Sequence, residues 1–287
     1  MVELPQSVRE AIGTRLEQHD TATAVPVRAL AVTLAREEPE PAPGSAVPPG
    51  WHGLYFLPLA PRHALAEDGL PTESALIPEM PFPRRMYAGE SLRFHRPIRV
   101  GDALRQESEL TDITLKQGST GTLAFVTTVN RIHGPDGLCV EEERHTVFRE
   151  ETPAGGGNKA PVHEPAPEDI AFEETVTMDI MTLFRFSALT FNPHRIHYDR
   201  PYATGVEGYP GLVVHGPLVS TLLINFARDN NPGRRMSAYR MRARAPLFDT
   251  APFRLIGRPG AEPDSCDVWA VTPENTVAMQ ATARFAD

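Results

Sequence analysis

The side chains best suited to acid–base chemistry are concentrated in one segment of the sequence, residues 186–215. It reads FSALTFNPHRIHYDRPYATGVEGYPGLVVH and contains the histidines His194, His197 and His215. A histidine whose pKa is near neutrality can accept a proton and return it. Asn192 and Thr190 carry an amide and a hydroxyl, which can hold a water molecule without competing for its proton. The segment therefore predicts a site for acid–base chemistry.

Two other kinds of site are disfavoured by the same residues. His194 and His197 have H-x-x-H spacing, but no cluster of carboxylates accompanies them, so we expect no metal. Gly205, Gly208 and Gly211 do not follow a strand of a βαβ unit, so we expect no dinucleotide and no other cofactor. A plain alternative stays open, in which His197 is only a hydrogen-bonded loop residue.

A helix is predicted directly after this segment, from Gly216 to roughly Asp229. Pro217 suits the first helical turn, where its missing N–H would be unpaired anyway. Apolar side chains recur every four residues at Leu218, Leu222 and Phe226, which gives one apolar stripe. The backbone N–H of Gly216 at the helix N-terminus can stabilise an oxyanion, and glycine lets a substrate approach the backbone closely.

The elements around the segment repeat an earlier pattern of the chain. In each half an arginine-rich alternating strand is followed by further strands and a final hairpin, around residues 135–137 and 273–275. This layout favours duplication of one unit, a helix wrapped by an antiparallel sheet, over chance similarity. The Gly- and Pro-rich residues 151–168 predict a linker between domains at 1–150 and 169–287.

Composition excludes several classes of partner. The formal net charge is −9, which is unfavourable for non-specific binding to nucleic acid or an anionic membrane. No stretch approaches the ~20 apolar residues of a membrane span. The two cysteines, Cys139 and Cys266, make no disulfide framework, so we expect a cytoplasmic protein.

The cluster and the predicted helix resemble the hydratase signature of the MaoC-like family, whose fold is the hotdog. The matching positions are Asn192-Pro193, His197, Asp199, Tyr202-Ala203 and Val214-His215-Gly216. The first half is similar to the companion domain of two-domain members, in WHGLYFLPLAP from Trp51 and PRRMYAGESLRFHRPIRVGD from Pro83. The resemblance implies an α+β protein with two tandem hotdog domains, the first degenerate and the second catalytic.

The sequence departs from the usual family pattern in one place. Thr190 replaces an aspartate two residues before the Asn, and His194-Arg195 are additional. The variant TFNPHRIHYD resembles type 2 hydroxyacyl-thioester dehydratases and the itaconyl-CoA and mesaconyl-C4-CoA hydratases. It implies hydration or dehydration of an α,β-unsaturated acyl-CoA, with a short dicarboxylic acyl group as the predicted substrate.

The resemblance also implies a role for each residue of the segment. His197 is the general base and acid, Gly216 supplies the oxyanion donor, and Asn192 positions His197 or the water. Thr190, His194 and Asp199 are the alternatives for that positioning role. Predicted substrate contacts come from Arg195, Tyr198, Asp199, Val214, His215 and Arg242.

Some of these contacts have structural alternatives. His215 can instead support the turn into the helix, and Arg195 can instead pair with Asp199 or Glu207. Arg240, Arg242 and Arg244 alternate along a predicted strand, so they can meet the phosphates of CoA or form a solvated face.

Three alternative functions remain at this stage. A dehydratase of 3-hydroxyacyl fatty thioesters would use the same residues. A hotdog thioesterase usually needs an acidic residue or Asn on the central helix, and residues 216–226 contain no carboxylate. A non-catalytic acyl-CoA binding protein is the third. The sequence does not determine whether the acyl group is carried by coenzyme A or by acyl carrier protein, or whether the chain forms a homodimer.

Overall fold

The computed structural model of the protein describes residues 4–118, 121–150 and 164–286, which form one ten-stranded antiparallel sheet with five α-helices. The strands are β1 Arg15–Thr21, β2 Arg84–Phe94, β3 Ala103–Gly118, β4 Gly121–Gly134, β5 Gly137–Arg149, β6 Phe172–Val176, β7 Arg235–Ala243, β8 Phe253–Pro259, β9 Ser265–Val271 and β10 Val277–Ala286. The α-helices are α1 Gln6–Glu10, α2 Ala24–Thr33, α3 Ile180–Leu189, α4 Arg200–Gly205 and α5 Gly216–Asp229. Short 3₁₀ helices span Trp51–Leu54, Arg62–Ala64 and Arg195–His197.

The strand order supports the predicted duplication. It runs β1-β3-β4-β5-β2 and then β7-β10-β9-β8-β6 across the sheet. Counted outward from the β2–β7 junction, the first half has the order β2, β5, β4, β3, β1, and the second half has the order β7, β10, β9, β8, β6. The two halves therefore have the same strand order. The predicted hairpins are present as β4–β5 and β9–β10. The two halves are joined by β2 and β7, which pair from Gly89↔Arg242 to Arg93↔Ala238.

Helix α5 is the most deeply buried helix of the described chain. It packs against β7 to β10 and spans the residues predicted from the sequence. Leu218 and Leu223 have no exposed surface, and even the polar Asn225 is only 1% exposed. A helix that is buried over most of its surface accommodates few charged side chains, which explains why small, apolar and hydrogen-bonded residues dominate it. The side-chain oxygen of Asn225 on α5 accepts a hydrogen bond from Trp51 Nε1 at 3.1 Å.

The helix of the first half differs from the one expected. Helix α2 has ten residues against fourteen in α5, packs on α3, and leaves Val25 and Val32 exposed. The 3₁₀ helix at Trp51–Leu54 lies beside α2, and Trp51 reaches α5. The first half thus covers part of the helix of the second half through Trp51.

The predicted linker is described only in part, because residues 151–163 lie outside the described residues. The described end is attached to the second half: Glu164 accepts a backbone hydrogen bond from Val277, and Ala166 donates one to Asn275. Ala166 is buried against Ile256. The attachment to the sheet thus begins before residue 168, because this stretch pairs with the β9–β10 turn. Within the described ranges, no helix combines the length and apolar character needed to cross a membrane.

Candidate active site

His197 is held by a backbone carbonyl that lies sixteen residues further along the chain. It ends the 3₁₀ helix Arg195–His197, and its Nδ1 lies 2.7 Å from the carbonyl oxygen of Val213. A carbonyl only accepts hydrogen bonds, so Nδ1 carries the proton and Nε2 keeps its lone pair. Nε2 has no hydrogen-bond partner among the described residues. This is the tautomer that a general base requires.

The ring of His215 packs against one face of the His197 ring. The two imidazoles are stacked with centroids 3.7 Å apart and planes inclined by 20°. His215 Nε2 lies 2.8 Å from the hydroxyl of Ser187 on α3, and the ring of Phe186 meets it edge-on. Because His215 has no exposed surface, the predicted substrate contact gives way to the structural alternative.

The three histidines of the segment are held in their neutral form. Burial, and then repulsion from His194 when that ring is protonated in acid, lowers the pKa of His197 to about 3. Burial and then the charge of Arg85 lower the pKa of His194 to about 4. Burial also holds the pKa of His215 well below its usual value. Each imidazole therefore keeps one unprotonated ring nitrogen at neutral pH.

The loop from Thr190 to His194 is shaped by its own polar groups. The Thr190 hydroxyl donates to the Phe186 carbonyl at 2.8 Å, at the end of α3. Asn192 accepts from the backbone N–H of His194 at 3.1 Å. Phe191, between them, has a φ of 49°, so the chain reverses there. Thr190 thus ends a helix, while the Asn192 amide N–H₂ stays available for a water molecule.

His194 contacts the His197 ring at an edge, whereas His215 stacks on its face. Its ring meets the His197 ring edge-on, with centroids 5.4 Å apart. Its Nε2 lies 3.8 Å from an Asp68 carboxylate oxygen, contributed by the first half. The described residues contain no group of three or more His, Cys, Asp or Glu side chains arranged to hold a metal ion.

Arg195, Tyr198 and Asp199 stabilise the loop. The Arg195 guanidinium donates to Asp199 through Nε at 3.0 Å and Nη2 at 2.8 Å, and lies 4.0 Å from the centroid of the Tyr202 ring. Asp199 also caps α4, and the Tyr198 hydroxyl donates to the Pro193 carbonyl at 2.8 Å. The alternative in which Arg195 pairs with Asp199 is the arrangement found, so the predicted substrate contact by Arg195 is replaced by a loop anchor.

Gly216 begins α5 beneath a tyrosine of the first half. A Cβ built on Gly216 would lie 2.6 Å from Cδ1 of Tyr87, so only glycine fits without a shift. Glycine is therefore needed for the packing of the halves, whereas the sequence suggested substrate approach. The N–H of Gly216 belongs to the first turn, where backbone donors have no partner within the helix. It remains an oxyanion donor candidate.

Two predicted substrate contacts are placed elsewhere. Val214 is buried, and its N–H donates to the Leu247 carbonyl at 2.8 Å, so its side chain offers no surface to a ligand. Arg242 lies on the exposed face of β7, opposite the face that carries the buried Tyr239 and Met241. The structure does not bring Arg242 to the histidines, because alternation along β7 points it outward.

The first half contributes residues that sequence reasoning missed. Gly69 has a φ of 89°, and a Cβ there would lie 2.1 Å from the Pro193 carbonyl oxygen. The neighbouring Asp68 carbonyl accepts from the Arg195 N–H at 2.8 Å. Tyr87 lies in the block PRRMYAGE, whose family resemblance was the one available signal. The site is thus built from both halves.

Comparison with known proteins shows which family this chain belongs to. The family described as hydroxyacyl-thioester dehydratase type 2 matches residues 50–249. The mesaconyl-C(4)-CoA hydratase of Chloroflexus aurantiacus is 47% identical over 265 residues, which cover 90% of this chain and 91% of that protein. The chain belongs to the hydroxyacyl-thioester dehydratase type 2 family.

Other relatives extend the comparison. The mitochondrial hydroxyacyl-thioester dehydratase type 2 of Schizosaccharomyces pombe is 27% identical over 74% of this chain and 77% of its own length. A solved MaoC-like dehydratase superposes with a TM-score of 0.71 at 17% identity, covering 97% of this chain and all of the other. A Mycobacterium tuberculosis protein described as a double hotdog gives 0.58 at 16% identity, with 96% of each chain covered.

These similarities confirm the predicted double hotdog fold and the predicted reaction class. The sequence relatives are named as a hydratase and a dehydratase, which are hydro-lyases acting on acyl thioesters. The solved structures support the fold alone, because their identities are low. The roles of individual residues depend on the geometry described above.

Proposed function

We propose that this enzyme adds water to the double bond of mesaconyl-C4-CoA or a similar branched dicarboxylic acyl-CoA, or removes water in the reverse direction. The observation that carries the proposal is the fixed tautomer of His197, whose protonated Nδ1 is bound to Val213 and whose Nε2 lone pair is free. The 47% identity to a hydratase of that substrate supports the choice of acyl group.

The reaction can be written with the residues present. Nε2 of His197 accepts a proton from a water molecule held by the Asn192 amide, and the hydroxide oxygen bonds to the β carbon. The double-bond electrons move onto the thioester oxygen, which the Gly216 N–H stabilises as an oxyanion. The imidazolium then returns the proton to the α carbon, so one water is added in total.

The low pKa of His197 fits this cycle. At about 3 without substrate, the imidazole is neutral at the start of each turnover. Developing negative charge on the substrate favours the imidazolium and raises this pKa during the reaction. The neighbouring His194 is the rival base, because it is neutral and stands against the His197 ring.

The other partners follow from the same proposal. The thioester carrier is coenzyme A, and the first half acts as a companion domain that shapes the acyl pocket. The formal net charge of −9 and the two buried free cysteines support a cytoplasmic enzyme. A homodimer remains a prediction without a structural argument.

A 3-hydroxyacyl-thioester dehydratase is the second candidate, favoured by the family match over residues 50–249. It needs the same groups and differs in the acyl chain. A thioesterase is disfavoured, since residues 216–226 of α5 contain no carboxylate to activate water, and Asn225 in this stretch is buried and accepts a hydrogen bond from Trp51.

The test is turnover of a panel of acyl-CoAs by the purified full-length chain. The panel contains mesaconyl-C4-CoA, itaconyl-CoA, crotonyl-CoA and a long-chain 2-enoyl-CoA. Loss of enoyl-thioester absorbance and a product heavier by one water identify hydration. We expect the highest kcat/KM with a dicarboxylic substrate. A preference for the long chain would favour the second candidate, and release of free CoA would indicate hydrolysis.

A further inference from the structure

Arg85 on β2 is a partly buried cation without a counter-ion in contact among the described residues. Within the described ranges it has no ion pair and no side-chain hydrogen bond, whereas its neighbour Arg84 pairs with Glu207 at 2.8 Å. Burial lowers the pKa of Arg85, which the Asp68 carboxylate partly offsets. A partly buried guanidinium that is not committed to a protein carboxylate is free to bind an anionic group of a ligand.

The register of the sheet shows which way Arg85 points. It pairs with Phe148 on β5, and Tyr87 pairs with Thr146, so the two side chains share a face of the sheet. A bulge between Tyr87 and Gly89 then shifts the alternation, which keeps the buried Leu92 on that same inner face. Arg85 therefore faces inward.

The inner face at this point adjoins the reacting groups. The Tyr87 ring packs on Gly216, the predicted oxyanion donor. Arg85 is two residues from Tyr87, about 7 Å along the strand. The site loop lies on this side as well, because His215, which precedes Gly216, stacks on His197, and the His197 ring meets His194 edge-on.

Asp68 is the acidic group whose charge acts on Arg85, and it is engaged elsewhere. Its carboxylate accepts the Leu70 N–H at 2.8 Å through Oδ1 and approaches His194 Nε2 to 3.8 Å through Oδ2. It forms no ion pair with Arg85 in the described structure, although its charge acts on Arg85 at longer range. Arg85 thus keeps its guanidinium available next to the histidines.

We propose that Arg85 binds the free carboxylate of the acyl group, so that the first half reads the substrate while the second half performs the hydration. This inference rests on the proposed function. In a mesaconyl-C4 thioester the free carboxylate is attached to the β carbon, the atom that accepts the hydroxyl. A guanidinium fork matches a carboxylate in two parallel hydrogen bonds. It also neutralises a charge that would otherwise repel the incoming oxygen.

The test compares two thioesters that differ only in this group. Mesaconyl-C4-CoA carries a carboxylate where 3-methylcrotonyl-CoA carries a methyl. We expect Arg85→Met to lower kcat/KM for mesaconyl-C4-CoA by about ten- to a hundred-fold, the value of a charge-assisted hydrogen bond. Turnover of 3-methylcrotonyl-CoA should stay within a small factor. Arg84→Met is the matched control, since that guanidinium is already paired with Glu207.

A binding measurement removes the dependence on turnover. Succinyl-CoA and butyryl-CoA are saturated analogues with and without the carboxylate, and both are read as competitive inhibitors. Arg85→Met should weaken the binding of succinyl-CoA and leave that of butyryl-CoA nearly unchanged. Arg85→Lys should retain part of the preference for succinyl-CoA. Circular dichroism and thermal unfolding establish that each variant is folded.

The outcomes separate this inference from the proposed function. If wild type prefers mesaconyl-C4-CoA and Arg85→Met keeps that preference, Arg85 is not the receptor and the proposed function stands. An equal loss on both thioesters reduces Arg85 to a structural cation. If wild type hydrates no dicarboxylic thioester, the proposed function fails, and this inference with it.

Discussion

The rings of His197 and His215 are stacked with their centroids 3.7 Å apart, so the histidine before α5 supports the histidine of the site loop. His215 is fixed in turn by Ser187 on α3. The stack sets the plane of the His197 ring, and the bond to Val213 sets its rotation and tautomer. A base held in this way loses little freedom on reaching the transition state.

The base is tested by single replacements. His197→Ala should reduce hydration by ~10²- to 10⁴-fold, the usual contribution of a positioned acid–base group. His194→Ala should be milder, because His194 only adjoins the reacting ring. Rates are measured on the best substrate of the panel, with thermal unfolding as the control for folding. A well-folded His197→Ala enzyme with near-normal turnover, or the reverse order of the two effects, would move the base elsewhere.

Gly216 and Tyr87 should be coupled. Gly216→Ala places a methyl 2.6 Å from the Tyr87 ring, and we expect a loss of ~1–3 kcal/mol in the free energy of unfolding, as for other overpacked sites. Tyr87→Ala removes the clash, so the double variant should cost less than the sum of the single changes. Urea titrations measure all four proteins. Strict additivity would show that the ring does not restrict residue 216.

Arg195 should not discriminate between acyl groups. Its guanidinium is bound to Asp199 and stacked on Tyr202, so Arg195→Met should loosen the loop and reduce activity on mesaconyl-C4-CoA and crotonyl-CoA by similar factors. The specificity ratio of the two substrates is the readout. A selective loss on the dicarboxylic substrate of ~1.5–3 kcal/mol would instead give Arg195 a role in carboxylate recognition.

Stability should fall in mild acid because the buried histidines resist protonation. Their folded pKa values, about 3 for His197 and about 4 for His194, lie below the 6.5 of an unfolded histidine. Below pH 6.5 the unfolded chain therefore binds protons that the folded chain does not, and stability declines toward pH 4. Each histidine contributes up to about 1.4 kcal/mol per pH unit.

The measurement is the unfolding free energy between pH 7 and pH 4.5. Replacing His194 with Asn should make the decline shallower, while Arg84→Met should leave its slope unchanged. In the same range kcat/KM should show no inflection near 6.5, because the free enzyme already holds neutral His197. A clear loss of activity centred at pH 6.5 would show that His197 titrates normally.

The division into halves is tested by expressing residues 168–287 alone. This piece contains the histidines but lacks β2, the strand that pairs with β7 and carries Tyr87 against Gly216. The exposed strand edge and apolar surface should make it aggregate or self-pair, with little activity. A soluble fragment with the turnover of the full chain would remove the first half from the site.

The sequence by itself determined the parts of this protein that depend on local pattern. Alternating residues predicted the hairpins β4–β5 and β9–β10, and apolar residues at four-residue spacing predicted α5 with the bounds found. The family likeness rested on the residues from Asn192 to Gly216, which are close in the chain. Such features are readable because strand and helix periodicities are set by neighbouring residues.

Only the tertiary structure decided which groups meet. It paired Arg195 with Asp199, gave His197 the carbonyl of Val213, and turned Arg242 outward. It also brought Tyr87 and Arg85 from the other half toward Gly216 and His194. Spacing along one chain cannot rank these partners, because the choice between a nearby carboxylate and a distant carbonyl or substrate depends on burial and on strand register across the β2–β7 junction.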